Sequence, residues 1–328
     1  MGKRIEIGSF LELDLKRGSE YYSDESNIAR LNTGRSGIIH SLQLLHCKTI
    51  YLPYYLCPDV RTFISRFNIT IKYYNISPDF EPLLENNEED SAILIVNYFG
   101  LLPESKLKNL KLKYSNVIID NCSAFFMPPI KDTFNVYSCR KFFGVPDGCY
   151  VIGPGAGEGV AKTYAKDFSS DTSLFLLKRI EVGSSASYRE RMKNEERLDN
   201  AGILRMSDLT IALLSGLDYL EIRTRRKANF DYAVSIFKEY NLLDMSKYWD
   251  KNTLPMFYPL VVRDILLVDK LKAQGIFTGR RWAHVVKEVM PGTFEEFISN
   301  YMVPIPIDQR YGEEELDYCL DVIQKLLR

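Results

Sequence analysis

Histidine is scarce in this chain. Its 328 residues include three, His40, His46 and His284. The six cysteines, Cys47, Cys57, Cys122, Cys139, Cys149 and Cys319, are scattered and form no CxxC pair. A zinc site has little to draw on, so no metal is expected. The cysteines read as reduced thiols of a cytosolic protein. A surplus of charge is also lacking, because 42 basic residues face 43 acidic ones for a net charge of −1. A general nucleic-acid binder normally carries a strong basic excess. No stretch approaches the roughly 20 apolar residues of a membrane span. Met1 to Leu15 alternates charge with apolar residues, unlike the apolar core of a secretory signal. No GxGxxG follows the first strand, which argues against a dinucleotide-binding Rossmann protein. The expectation is a cytoplasmic protein that binds neither nucleic acid nor membrane.

What is present is an ordinary globular composition, 46% hydrophobic and 26% charged, rich in tyrosine (21) and phenylalanine (18). Packing accounts for nearly all of these rings. The length suits a large domain, 1–240, followed by a smaller one, 241–328. A glycine-containing turn, Asn32 to Gly37, opens an apolar-periodic helix from Ile38 to Leu45. Strands are expected at 49–52, 69–74, 92–97 and 117–120, with helices at 58–67 and 105–114 between them. Strands at 135–138 and 149–152 continue the sheet. Alternation at this spacing predicts an α/β fold with a mostly parallel sheet flanked by helices. Beyond Gly155 the chain turns helical and charged. Ser207 caps a long helix expected to run to about Tyr240. Phe257 to Val262, Gly275 to Phe277 and a final helix at 313–327 suggest the smaller α+β domain.

The chemistry centres on Lys141, within Tyr137-Ser138-Cys139-Arg140-Lys141-Phe142-Phe143-Gly144-Val145-Pro146-Asp147-Gly148. Upstream, Asp120 ends the apolar run Val117-Ile118-Ile119. Alone, Asp120 reads as a cap or turn residue, and Lys141 as a surface lysine. Together, a strand-end aspartate and a later loop lysine suit pyridoxal 5'-phosphate (PLP). The lysine amine forms an imine with the cofactor aldehyde. The carboxylate keeps the pyridine nitrogen protonated, which makes the ring an electron sink. In open α/β sheets, ligands gather at the carboxyl ends of strands. Gly34, Arg35 and Ser36, with Thr33, form a candidate phosphate cradle of helix-start amides, a hydroxyl and a guanidinium. Ser138 either adds a hydroxyl or is a satisfied strand-end serine. Asn97 and Tyr98 either line the pocket or pack a strand end. Tyr54 and Tyr55 follow another strand and face either the cofactor ring or the core, with core packing favoured for one of the two; Tyr55 is the candidate for the cofactor.

These segments, in this order, resemble the DegT/DnrJ/EryC1/StrS family of PLP-dependent sugar aminotransferases. The matching pieces are Thr33-Gly34-Arg35-Ser36-Gly37-Ile38, Leu52-Pro53-Tyr54-Tyr55-Leu56-Cys57, Asn97-Tyr98-Phe99-Gly100 and Ile118-Ile119-Asp120-Asn121-Cys122-Ser123. Further pieces are the lysine segment, Leu204-Arg205-Met206-Ser207-Asp208-Leu209 and Pro304-Ile305-Pro306-Ile307-Asp308. The resemblance implies the fold-type I aspartate aminotransferase architecture and a homodimer with its sites at the subunit interface. It implies Lys141 as the Schiff-base lysine, Asp120 at the pyridinium, and Gly34, Arg35, Ser36 and Ser138 at the phosphate. Three positions depart from the family pattern. Ser123 stands where a Gln or His commonly approaches the ring, Cys57 where an aromatic is usual, and Ile203 where an asparagine is common. The arm before the phosphate motif is also shorter.

The resulting expectation is an aminotransferase that moves an amino group from an amino acid, L-glutamate first, to a keto sugar that is nucleotide-linked. Polysaccharide or antibiotic sugar synthesis is the pathway the resemblance implies. Two alternatives stay open at this point. One is a PLP-dependent sugar dehydratase on the same fold, against which Lys141 speaks. The other is a non-catalytic regulatory or binding protein, which has no chemical need for the Asp120–Lys141 pair.

Overall fold

The computed structural model describes residues 7–23, 27–248 and 252–327. Part of the Met1–Leu15 segment therefore lies outside the described residues. Seven strands form the main sheet: β1 (Ile28–Leu31), β2 (Thr49–Pro53), β3 (Thr70–Tyr74), β4 (Ser91–Val96), β5 (Val117–Asp120), β6 (Phe134–Ser138) and β7 (Cys149–Ile152). Their order is β1-β7-β6-β5-β4-β2-β3. Strands β6, β5, β4, β2 and β3 run parallel, and β7 is antiparallel to both neighbours. Every residue of β4, β5, β6 and β7 is buried. Strands buried along their whole length are covered on both faces. The expected mostly parallel α/β fold is present.

Helix α1 (Gly34–Leu44) packs across β5, β6 and β7. Helices α2 (Pro58–Ile64) and α3 (Glu104–Lys113) fall where the apolar spacing placed them. Next comes α4 (Leu174–Asn200), interrupted at Gly183 with φ 78° and ψ −172°. That conformation is open to glycine and strained for other residues. Lys178 and Glu190 form an ion pair of 2.7 Å across the break. Twelve residues of straight helix would separate them by about 18 Å, so α4 bends back at Gly183.

The single long helix expected from Ser207 to Tyr240 is corrected to two, α5 (Asp208–Ser215) and α6 (Tyr219–Phe237). Ser207 does cap the first, accepting a hydrogen bond from Thr210 N. Gly216 closes α5, its amide turned back to Leu213 O, and the Asp218 side chain caps α6 through Glu221 N at 2.9 Å. A cap residue inside the periodic run restarts the helix in a new direction.

A second, two-stranded antiparallel sheet joins β8 (Tyr258–Val261) to β9 (Met302–Ile305). Around it lie α7 (Leu267–Ala273), α8 (Phe294–Tyr301) and α9 (Glu313–Leu327). Gly275 to Phe277 forms no strand; it closes α7, with Ile276 N donating to Leu271 O. Helix α6 packs on both β8 and α9.

Candidate functional site

Strand register brings the sequence motifs to one edge. Leu31 at the end of β1 pairs with Cys149, and Cys149 pairs with Ser138 at the end of β6. Val96, Asp120 and Val136 are likewise neighbours across β4, β5 and β6. The turns after β1, β4, β5 and β6 thus emerge side by side at the carboxyl edge. Gly148 ties two of them together: its amide donates to Asn32 O at 2.7 Å, and its carbonyl accepts from Cys139 N at 3.0 Å.

Thr33 caps α1, its Oγ1 accepting from Ser36 N at 3.2 Å and lying 2.8 Å from Ser36 Oγ. Gly37 N donates to Thr33 O. The remaining helix-start amides, of Gly34 and Arg35, point out of the first turn as an anion site requires. A Cβ on Gly34 would come within 2.7 Å of Cys122 Sγ. Only glycine lets the turn lie this close to the Asp120 turn.

Asp120 is buried, and its Oδ1 accepts from Cys122 N at 2.8 Å. The Cys122 thiol also lies against this carboxylate. Lys141 is exposed in a 3-10 turn, Cys139–Lys141, and makes no hydrogen bond or ion pair among the described residues. Cys122 locates these two groups relative to each other. Burial pushes its thiol well above the ordinary range, the Asp120 charge adds to that, and the Lys141 charge opposes it. Burial and then Asp120 also raise the Cys149 thiol. At Cys57, burial raises the thiol and Lys141 again opposes. The phosphate turn and the aspartate turn therefore meet at Cys122, and the lysine turn follows β6, the strand in register beside Asp120. The sequence offered Cys122 only as a member of a motif.

The other expected residues divide. Ser138 is buried at the mouth of the lysine turn, in register beside Cys149. Arg35 is turned aside, its Nη2 paired with Asp199 at 2.8 Å and its guanidinium over the Phe63 ring. Ser123 stands half-buried in the turn after Asp120, its backbone against Gly100. Asn97 is fully buried, donating to Asn121 Oδ1 and accepting from Leu102 N, each at 3.0 Å. The Tyr98 hydroxyl, also buried, donates to Tyr55 O at 2.9 Å. Both are buried and engaged with neighbouring segments. Tyr55 is enclosed as well, its hydroxyl without a hydrogen-bond partner among the described residues and its ring edge-on to Trp282 at 4.5 Å. Tyr54 instead stacks on Tyr73.

Arg281 is a residue that sequence reasoning passed over. It makes no ion pair among the described residues, and it lies over the Phe257 ring at 5.0 Å. Burial lowers its pKa, against the opposing influence of Tyr55 and Cys57. Only an arginine next to a tryptophan in a turn-rich segment was visible beforehand, which is no motif.

This arrangement, a mostly parallel sheet with an acid, a lysine and a helix-start turn at its carboxyl edge, defines a class by fold. The chain has the fold of the solved sugar aminotransferases. One similar structure is the sugar aminotransferase CalS13 from Micromonospora echinospora, with TM-score 0.62, 16% identity, and coverage of 91% of this chain and 87% of that one. Another is DesV from S. venezuelae in complex with a ketimine intermediate, with TM-score 0.64, 16% identity, and coverage of 93% and 86%. A third is the PLP-form of a putative sugar aminotransferase, Spr1654, from Streptococcus pneumoniae, with TM-score 0.62, 13% identity, and coverage of 94% and 89%. At such identities the likeness establishes the fold. No family model matches the sequence, and no curated protein does.

Proposed function

We propose that this protein is a PLP-dependent aminotransferase that transfers the amino group of an amino acid, L-glutamate first, to a keto sugar. The observation that carries this reading is that the Gly34 turn meets the Asp120 turn at Cys122, with the Lys141 turn following the neighbouring strand β6. The residues present fit the cofactor. The close approach at Gly34 leaves a cradle of backbone amides, the Asp120 carboxylate is fixed by Cys122 N, and the Lys141 amine makes no hydrogen bond or ion pair among the described residues. The solved structures of this fold include PLP and PMP forms.

When bound, the cofactor supplies an aldehyde that condenses with amines and a ring that takes up electrons. The Gly34 and Arg35 amides and the Ser138 hydroxyl hold its phosphate end. Asp120, fixed by Cys122 N, keeps a proton on the ring nitrogen. Lys141 is the covalent anchor. Its free amine would be placed to take a proton from the donor's Cα and to return it. The enclosed scaffold of Asn97, Tyr98 and Tyr55 keeps water away from the far side of the site.

A nucleotide-linked sugar, a role in polysaccharide or antibiotic sugar synthesis and a cytoplasmic location complete the reading. So does a division near residue 240, with the β8–β9 sheet at the heart of the smaller part. A homodimer belongs to it too. Leu174, Leu177 and Ile180 on the first half of α4 are 47%, 56% and 84% exposed, a contiguous apolar surface of the kind that marks an interface.

Asp120→Asn tests the assignment. Its amide no longer holds the ring proton, so the half-reaction with L-glutamate should slow by about 100-fold or more while cofactor binding changes little. Near-normal turnover in this variant would remove Asp120 from the mechanism.

A further inference from the structure

The proposed chemistry makes no use of α4, yet the second half of this helix touches the segments that carry it. Asn194 is fully buried, and its Nδ2 donates to Pro146 O at 2.7 Å, inside the turn that closes the lysine loop. Its Oδ1 accepts from Thr172 Oγ1 at 2.8 Å, which fixes the amide's orientation. Glu195 pairs with Arg140, the residue before Lys141. Asp199 pairs with Arg35 in the phosphate turn.

These contacts follow from helical spacing. At 3.6 residues per turn, positions 194, 195 and 199 fall within an arc of about 140°. Ser187, Asn194 and Leu198, the buried residues of α4, mark the Asn194 side of that arc. The three contacts are unequal. Asp199 is half exposed, and exposed ion pairs contribute little. The Asn194 bond is enclosed, so losing it leaves a buried carbonyl unsatisfied. The Arg140–Glu195 pair is three-quarters buried on both sides and adjoins the reactive lysine.

We propose that the second half of α4 sets the place of Lys141, with Asn194 and Glu195 as positioning residues. They fix the Cys139–Gly148 loop at its two ends, beside the lysine and at the Pro146 turn. This role rests on the functional reading above, but the loop can be followed without it.

The test compares Asn194→Ala, Glu195→Ala and the charge exchange Arg140→Glu with Glu195→Arg. Hydrogen exchange is measured on the cofactor-free protein. Amide protection over 139–148 should fall by about 10-fold in each single variant, the loss of one enclosed hydrogen bond, while strand amides in β4 and β5 keep theirs. With PLP added, the rate of the L-glutamate half-reaction at saturation should fall about 10-fold, with little change in the glutamate concentration needed for half its maximum. The charge exchange should restore most of both. Unchanged protection over 139–148 in both single variants would overturn the proposal. So would loss of protection spread evenly over the sheet, which would mark a general structural role. If the protein takes up no PLP, the functional reading fails and the exchange data alone decide the role of α4.

Discussion

Asp120 and Lys141 gain meaning from what lies between them. Each alone is an ordinary strand-end acid or loop cation. Strand register puts the Asp120 turn beside the lysine turn, and Cys122 feels the charge of both. Gly34 is the third member by virtue of having no side chain. A methyl group there would meet Cys122 Sγ at 2.7 Å, and overpacking of this kind costs about 1–3 kcal/mol. Gly34→Ala should therefore push α1 off the Asp120 turn. Titration of the protein with PLP should show weaker binding by at least about 10-fold, the equivalent of 1.4 kcal/mol. Unaltered PLP binding would mean that the turn does not form the cradle.

At the scale of elements, α2 meets the segment after α7 through one side-chain cluster. Arg61 Nη2 lies 3.0 Å from His284 Nε2, and Arg61 Nη1 pairs with Glu288 at 2.5 Å. A guanidinium only donates, so His284 must accept and must be neutral. Burial, and then the Arg61 charge, hold its pKa below the ordinary value of about 6.5. The folded state thus binds this proton less readily than the unfolded chain. The contribution is complete above about pH 6.5 and is lost as pH falls through the lowered pKa. His40, wholly buried, shifts in the same direction through burial. Thermal unfolding followed from about pH 7.5 to 5.5 should show a falling midpoint, with a shallower fall in His284→Gln. An equal slope in that variant would show that the cluster does not titrate with folding.

Elements also show where the sequence was readable. Strands β2 to β7 and helices α1 to α3 were legible because buried parallel strands read as apolar runs and helices as periodic faces. The break between α5 and α6 was hidden because Gly216 and Asp218 interrupt a run whose periodicity continues on both sides. Strand β1 is four residues long and includes an arginine. Strand β9 contains Pro304, which opposes Pro259 of β8, and proline normally argues against a strand. Both prolines are tolerated because a two-stranded sheet consists only of edges. Within the site, Asp120, Lys141, Gly34 and Ser138 were legible as strand-end and turn residues. The inward use of Asn97 and Tyr98, and the capture of Arg35 by Asp199, depend on contacts between distant elements that local spacing does not encode.

For the whole molecule, the first half of α4, ahead of Gly183, leaves Leu174, Leu177 and Ile180 exposed. In the dimer we propose, it would be buried against a second copy. Sedimentation should give a mass of twice 37.9 kDa, and Ile180→Lys, which places a charge in that surface, should shift the protein towards monomer. A wild-type protein that sediments as a monomer across the micromolar range would contradict the dimer.

The most direct test of the central claim is the visible absorption spectrum of the purified protein with PLP, before and after L-glutamate, alongside Lys141→Ala. The account predicts a yellow band in the wild-type protein that glutamate bleaches and that the Lys141→Ala variant alters or lacks. A protein that stays colourless with added PLP, or a yellow band that survives glutamate and every other amino acid, would contradict it.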